Sequence, residues 1–160
     1  MYNGIDVEKF SVSQKPTKTN NVLYFGSIIR KKGVLELARI FNLVVEKKSD
    51  VQLTLLGKDV IDIFENKSTL TLFRGLLSDK AKQQVIHVSE VPYNEVKDHI
   101  EKASVVVLPS LAEAFPMTWL EAMAMGKALV TSNIGWATEL MIDGETGFIE
   151  DPINHQLFAN

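Results

Sequence analysis

Short apolar runs alternate with longer segments of helical periodicity through most of the chain. The first run, residues 22–25, is followed over residues 33–47 by a pattern that places Leu37, Phe41 and Val44 on one helical face. Alternation of this kind is typical of parallel strands connected by crossover helices. Further strands are predicted at residues 51–57, 85–88, 104–109, 127–131 and 148–149. Helices are predicted at residues 60–84, 93–103, 116–125 and 134–142.

The order of these elements predicts an α/β fold, a Rossmann-like doubly wound sheet of five or six parallel strands with helices on both faces. Residues 11–20 are polar and include Pro16, so residues 1–20 are predicted as a linker or approach segment. The domain itself is predicted over residues 21–152, and residues 153–160 as a tail. Ligands of such sheets bind outside the carboxyl ends of the strands, so the loops that follow the strands hold the candidate site.

Composition narrows the chemistry. The 160 residues, of which 46% are hydrophobic, suffice for one domain with its own core. The 17 Lys and Arg against 20 Asp and Glu leave a net charge of −3, which argues against nucleic acid as a partner. The lack of cysteine excludes a thiolate nucleophile, and the scattered histidines predict no metal site. With no signal-peptide pattern at its start, the chain is expected to be cytoplasmic, with peripheral membrane association left open.

The loop after the first strand carries three consecutive cations. Residues 26–33 have the sequence GSIIRKKG, and Arg30, Lys31 and Lys32 precede a helix whose dipole would repel them. A bound phosphate or diphosphate would relieve that repulsion, and Gly26 would let the backbone approach it closely. The pattern matches neither the dinucleotide fingerprint nor the P-loop. A solvated basic turn is the alternative interpretation.

A second candidate anion site is the start of the helix predicted at residues 116–125. With Pro116 as the first helical residue, Phe115 lies at the cap, where its side chain cannot accept from the free amides. The backbone N–H groups of Met117 and Thr118 would then be available to a ligand phosphate. The sequence therefore predicts that this helix start binds an anion.

Two carboxylates flank this helix start. Glu113 lies in the loop before it and Glu121 in its second turn, so the two are presented differently and do not form one acid/base pair. Carboxylates accept well from vicinal hydroxyls, which suits Glu121 to a ribose diol and Glu113 to the hydroxyls of a sugar. Taken singly, Glu121 is better explained as an acid in the first half of a helix, favoured by the dipole, and Glu113 as an exposed loop acid. Together with the basic loop they describe a site for a sugar nucleotide.

Several segments together resemble one family. These are residues 26–33, the pair Glu113 and Glu121 with seven residues between them, the run EAMAMGKALVTSNIG and the run ELMIDGETGF. They resemble the carboxyl-terminal, donor-binding domain of retaining GT-B glycosyltransferases of family 4, also called glycosyl transferases group 1. The resemblance extends from about residue 3 to residue 152.

The resemblance implies one half of a GT-B fold that binds a nucleotide diphosphate sugar of UDP or GDP type. With a missing amino-terminal domain, the enzyme would transfer the sugar to a glycan or lipid-linked acceptor with retention of configuration. It would need no metal or cofactor, and the isolated chain would be inactive. The nucleotide base, the sugar, the acceptor and the oligomeric state are not specified by the sequence.

Site residues follow from the same resemblance. Glu113 would contact the transferred sugar, Glu121 the ribose and Lys32 the diphosphate. The amides of Phe115, Met117 and Thr118 would meet the sugar and diphosphate. The resemblance assigns catalytic roles to Glu113, Lys32 and Arg30. The implied donor-binding residues are Gly26, Ser27, Lys32, Val91, Glu113, Phe115, Pro116, Met117, Thr118 and Glu121.

Three positions depart from the family pattern. Ser27 stands where Arg is common, so Arg30 would substitute from another angle or the diphosphate would be held less tightly. Ser89 replaces a usual Gly, and Gly135 is followed by Trp136 where the family often has a second Gly. A GT-B-like nucleotide-sugar epimerase and a non-catalytic nucleotide-binding module therefore remain as alternatives.

Overall fold

Six parallel strands form one sheet in the computed structural model, which describes residues 4–12, 19–135 and 137–160. The strands are β1 (Asn21–Phe25), β2 (Gln52–Leu56), β3 (Val85–Val88), β4 (Val105–Leu108), β5 (Ala128–Ser132) and β6 (Phe148–Glu150). Their order in the sheet is β3-β2-β1-β4-β5-β6. In the central register, Val22 of β1 pairs with Leu53 on one side and Val105 on the other. The predicted doubly wound, Rossmann-like sheet is confirmed, with six strands.

Seven α-helices connect or follow these strands within the described residues. They are α1 (Val34–Lys47), α2 (Thr69–Leu76), α3 (Asp79–Lys82), α4 (Tyr93–Lys102), α5 (Met117–Ala124), α6 (Ala137–Leu140) and α7 (His155–Phe158). From β1 the chain moves outward in one direction along the sheet, and from β4 in the other. Because parallel crossovers are right-handed, the two directions place their helices on opposite faces. α1 packs with α2, α3 and α7, while α5 contacts β5.

The core lies around the two central strands, which are covered on both faces. Leu23 and Val106 are fully buried, and Phe41 from the apolar stripe of α1 belongs to the same hydrophobic cluster. Continuous apolar runs are what strands buried on both faces require. No helix within the described ranges is both long and apolar enough to span a bilayer.

Three predicted helices differ from the observed ones. The helix expected at residues 60–84 is wrong over residues 60–68, which form a turn; helix begins at Thr69, where the Ser68 hydroxyl accepts from the Thr71 amide at 2.9 Å. Residues 62–68 favour the turn because Asp and Ser side chains bond their own backbone in preference to helix. The helix expected at residues 134–142 is confined to α6. Pro116 caps α5 as its N-cap residue and is not its first helical residue.

The two ends of the chain also bear on the predicted organisation. Positions 1–3 and 13–18, both within the expected linker, lie outside the described residues, as does Trp136. Residues 153–160, expected as a tail, include α7, which packs on α1 and buries Phe158. The His155 ring lies 2.5 Å from a carboxylate oxygen of Glu36 on α1 and adds a polar contact at this junction.

Candidate functional site

The β1–α1 and β4–α5 loops meet where the direction of the chain along the sheet reverses, the usual ligand crevice of such folds. Gly33 has a φ of 69°, and a Cβ atom there would lie 1.7 Å from the Pro109 carbonyl oxygen. Only glycine satisfies both the left-handed backbone and this close approach. The Lys31 carbonyl accepts from the amides of Leu111 at 2.8 Å and Ala112 at 3.3 Å. The two loops are therefore fixed against each other.

This junction brings Lys32 and Glu113 together. The Lys32 ammonium forms an ion pair with Oε1 of Glu113, and the Ser110 hydroxyl donates to the same oxygen at 3.2 Å. The side chains remain partly accessible, at 26% for Lys32 and 13% for Glu113. A cation and a carboxylate that are 81 positions apart in sequence thus lie together, partly accessible, where the two loops meet.

The start of α5 lies immediately after Glu113 in the chain. Pro116 provides no side-chain cap, and the Met117 amide, expected to be available, donates to the Phe115 carbonyl at 3.1 Å. The Thr118 amide makes no hydrogen bond to another described residue. An uncapped helix start with a free amide carries partial positive charge and accommodates an anion. Phe115 and Thr118 are both half-buried.

Glu121 has a different environment. It is only 5% exposed, and its Oε1 accepts from the Tyr93 hydroxyl at 2.6 Å. Burial raises the pKa of Glu121, although the Tyr93 hydrogen bond and the nearby Lys9 charge oppose that rise. The same hydrogen bond, with burial second, raises the pKa of Tyr93 to about 12. The carboxylate therefore faces a neutral donor at neutral pH.

Arg30, expected at the diphosphate, is paired elsewhere in this structure. Its guanidinium donates to both oxygens of Asp62, at 2.7 and 3.0 Å, and lies 5.2 Å from the centre of the Phe64 ring. The hydrogen bond from Arg30 lowers the pKa of Asp62 to about 2, and the amides of Phe64 and Glu65 donate to the same carboxylate. The pair ties the β1–α1 loop to the turn after β2.

The remaining predicted residues line the same edge of the sheet. Gly26 extends the pairing of β1, since its amide donates to the Leu56 carbonyl at 2.9 Å. Ser27 is exposed, and its carbonyl accepts from the buried Tyr24 hydroxyl at 2.7 Å. Burial, and then the Glu113 charge, raise the pKa of Tyr24. Val91 is half-buried between β3 and α4.

Four side chains of this region were not singled out by the sequence. Ser110 and Tyr93 contact the two predicted carboxylates, Tyr24 lies under the basic loop, and Asp62 holds Arg30. Tyr93 follows Pro92 at the start of a predicted helix, and nothing in that local pattern indicates its contact with Glu121. Across residues 4–12, 19–135 and 137–160, no three His or acidic side chains are grouped so as to hold a metal ion.

Comparison with known proteins identifies the family of the chain. Residues 6–160 match the family described as Glycosyl transferases group 1. The chain belongs to this family. The capsular polysaccharide biosynthesis glycosyltransferase CapM of Staphylococcus aureus is 30% identical over 158 residues, which cover 92% of this chain and 39% of CapM. The chain therefore spans well under half the length of this glycosyltransferase relative.

Solved structures give the same fold. The carboxyl-terminal domain of the glycosyl transferase group 1 family protein LpcC from Francisella tularensis has a TM-score of 0.78 at 23% identity, covering 98% of this chain and 84% of that one. HepE of Anabaena, solved in complex with UDP and glucose, has a TM-score of 0.79 at 22% identity, covering 100% of this chain and 45% of that one. The family match over residues 6–160 confirms the expected membership in glycosyl transferases group 1, a transferase family.

Proposed function

We propose that the junction of the β1–α1 and β4–α5 loops binds the donor of a glycosyltransferase, a nucleotide diphosphate sugar. The observation that carries the proposal is the Lys32–Glu113 ion pair beside the uncapped start of α5. An incoming diphosphate offers Lys32 a more highly charged partner and offers the Thr118 amide an acceptor. Released from Lys32, Glu113 can accept from hydroxyls of the sugar.

The ribose is assigned to Glu121, in the second turn of α5, and the base to the region of Val91. Gly26, Ser27 and Pro116 form the backbone edge around the diphosphate. Phe115 and Met117 supply amides, that of Met117 after giving up its bond to the Phe115 carbonyl. Arg30 remains in the proposed set through its place in the basic loop, although in the free protein Asp62 holds it.

In the transfer itself, the bond between the anomeric carbon and the diphosphate oxygen breaks while the acceptor oxygen bonds to that carbon on the same face. The nucleoside diphosphate leaves with the bonding electron pair, and its departing oxygen takes up the proton that the acceptor hydroxyl loses. Lys32 and the α5 dipole stabilise the negative charge that develops on the leaving group, an effect for which one donor is typically worth about 3 to 4 kcal/mol. Retention of configuration is proposed from the family resemblance.

The acceptor and most of the cleft that excludes water are assigned to an amino-terminal domain of the full-length protein. The coverage of only 39% of CapM supports this division. The name of CapM refers to capsular polysaccharide, and HepE was solved with UDP and glucose. These names favour a UDP-linked sugar as donor and a glycan, free or lipid-linked, as acceptor.

Calorimetric titration of the chain with UDP and GDP tests the proposal, with uridine and guanosine as controls that lack the diphosphate. One nucleoside diphosphate is expected to bind weakly, and its nucleoside not measurably. Absence of heat with both diphosphates would contradict donor binding and favour an interaction module. For the full-length protein, incubation with UDP-sugars and product analysis separates transfer to an acceptor from epimerisation of the donor.

A further inference from the structure

The Glu121 carboxylate has one hydrogen-bond partner among the described residues, the hydroxyl of Tyr93. Glu121 is almost fully buried in α5, whereas Tyr93 opens α4 and is 54% exposed. The hydroxyl donates to Oε1 at 2.6 Å, which leaves Oε2 without a partner in the described parts of the chain. A buried carboxylate with one oxygen held and the other available is oriented toward whatever next supplies a hydroxyl.

Tyr93 is itself held from outside the sheet. The ammonium of Lys9 lies 4.1 Å from the centre of the Tyr93 ring, and the buried Phe10 ring packs 5.7 Å away at an interplanar angle of 57°. Both residues belong to the amino-terminal turn, residues 6–10, which is closed by the bond from the Phe10 amide to the Asp6 carbonyl at 3.0 Å. A cation over an aromatic face and an edge-tilted ring are both attractive arrangements.

The contacts of Tyr93 and Lys9 also affect the protonation of Glu121. Burial alone would favour the protonated acid, which accepts hydrogen bonds poorly. Tyr93 from α4 and Lys9 from the amino-terminal turn both act to lower the pKa of Glu121 again, and Asp6 acts on Tyr93. The two residues that orient the carboxylate are thus also those that favour its ionised form.

We propose that Tyr93, held by Lys9 and Phe10, is a positioning residue that presents the free oxygen of Glu121 to the ribose hydroxyls of the donor. The inference rests on the proposed function and adds a residue to it. It also links the ribose site to the amino-terminal turn, so that a displacement of residues 6–10 changes nucleotide affinity without any contact between that turn and the nucleotide.

The test compares wild type with Tyr93→Phe, which keeps the ring and removes only the hydroxyl. UDP and 2′,3′-dideoxy-UDP are titrated into each protein by calorimetry. Tyr93→Phe is expected to weaken UDP binding about five- to tenfold and to leave dideoxy-UDP unchanged, since that ligand has no diol for Glu121. If UDP and dideoxy-UDP lose equally, the role of Tyr93 is merely structural and the inference is overturned. An unchanged UDP affinity overturns it as well.

A second measurement does not depend on nucleotide. Carbon-13 NMR titration of the Glu121 carboxyl in the free chain is expected to give a higher pKa in Tyr93→Phe than in wild type. If wild type binds neither UDP nor GDP, the proposed function fails, and the inference with it, whatever this titration shows. If wild type binds UDP but the Glu121 titration is identical in both proteins, only the inference fails.

Lys9→Met provides a test that leaves Tyr93 in place, in case Tyr93→Phe does not fold. It is expected to weaken UDP binding about two- to threefold, the scale of an exposed cation–π contact, and to raise the pKa of Glu121. Lys80→Met is the matched control, because Lys80 is an exposed lysine of α3, a helix that packs on α1 and not on α4. Equal behaviour of the two lysine variants would contradict the link to the amino-terminal turn.

Discussion

The two acidic side chains at α5 are eight positions apart, yet their surroundings are opposite in kind. Glu113 lies in a loop, is paired with the cation Lys32 and remains partly accessible. Glu121 lies inside the helix, is buried and accepts from the neutral Tyr93. An ion pair at a half-open edge can exchange partners when a stronger anion arrives, because water and ligand both reach it. A buried carboxylate held by a neutral donor keeps its place, which suits it to recognise an unchanging group such as ribose.

The largest effect is expected from separating the two loops that hold the Lys32–Glu113 ion pair. Gly33→Ala forces a Cβ atom to within 1.7 Å of the Pro109 carbonyl oxygen at a φ of 69°. We expect a loss of about 2 to 5 kcal/mol in the free energy of unfolding, from left-handed strain and overpacking together. Urea denaturation measures it.

Gly75→Ala is the matched control for that substitution. Gly75 lies in α2 without a positive φ, and nothing lies within 4 Å of a Cβ atom there. Alanine should stabilise the helix by up to about 1 kcal/mol. Similar losses in both variants would contradict the close packing of the two loops.

Replacing the two carboxylates one at a time is expected to have the next largest effect, on ligand affinity. Glu121→Ala is expected to weaken UDP binding about ten- to a hundredfold, because the ribose loses a charged acceptor. Glu113→Ala should leave UDP affinity unchanged or tighten it up to about threefold, since Lys32 is released, while lowering the preference for UDP-glucose over UDP. Calorimetry with both ligands distinguishes the pair; equal and negligible effects would remove both site assignments.

A comparison of two adjacent lysines tests whether Lys32 binds the diphosphate. Lys32→Met should weaken UDP binding about tenfold, as expected for the loss of one charge-assisted contact to the diphosphate. Lys31→Met, on an exposed neighbour whose carbonyl but not its ammonium contacts the β4–α5 loop, should change it less than about twofold. Neither substitution should change the result of a uridine titration, because uridine lacks the diphosphate. A larger loss for Lys31→Met would place the diphosphate elsewhere on the loop.

The smallest effect is confined to acid and concerns the Arg30–Asp62 contact. The folded-state pKa of Asp62, about 2, lies below the ordinary value of 3.8, so its stabilising contribution is present above pH 4 and is lost as the pH falls toward 2. The free energy of unfolding of wild type should therefore fall more steeply between pH 4 and 2 than that of Asp62→Asn. Parallel pH profiles in urea denaturation would show that this contact does not contribute.

Most of the fold was accessible from sequence because buried parallel strands are continuous apolar runs. Residues 105–108, for instance, are all apolar, and a continuous apolar run of this length is typical of a strand covered on both faces. The turn at residues 60–68 was not, because the local hydrogen bonds that the Asp62 carboxylate accepts from the Phe64 and Glu65 amides compete with the helical pattern. The extent of α6 was missed for the related reason that a short helix is decided by packing and carries little periodicity of its own.

The sequence indicates which residues are candidates for the site but not which side chains they contact. Lys32, Glu113 and Glu121 were identified as candidates, because helix-start and carboxylate chemistry can be inferred from local sequence. Their partners could not be, since Lys32 meets Glu113, and Tyr93 meets Glu121, only across loops that the sheet brings together. The same applies to Arg30, whose engagement by Asp62 depends on how the turn after β2 folds back.

Backbone amide NMR of the chain titrated with UDP, and with uridine as reference, tests the diphosphate site most directly. The Thr118 amide, together with those of Lys32 and Glu113, should shift on addition of UDP and stay in place with uridine, since only UDP carries the diphosphate. A saturable UDP titration that leaves Thr118 unmoved, with its shifts confined to a distant surface such as α7, would contradict a diphosphate site at the start of α5.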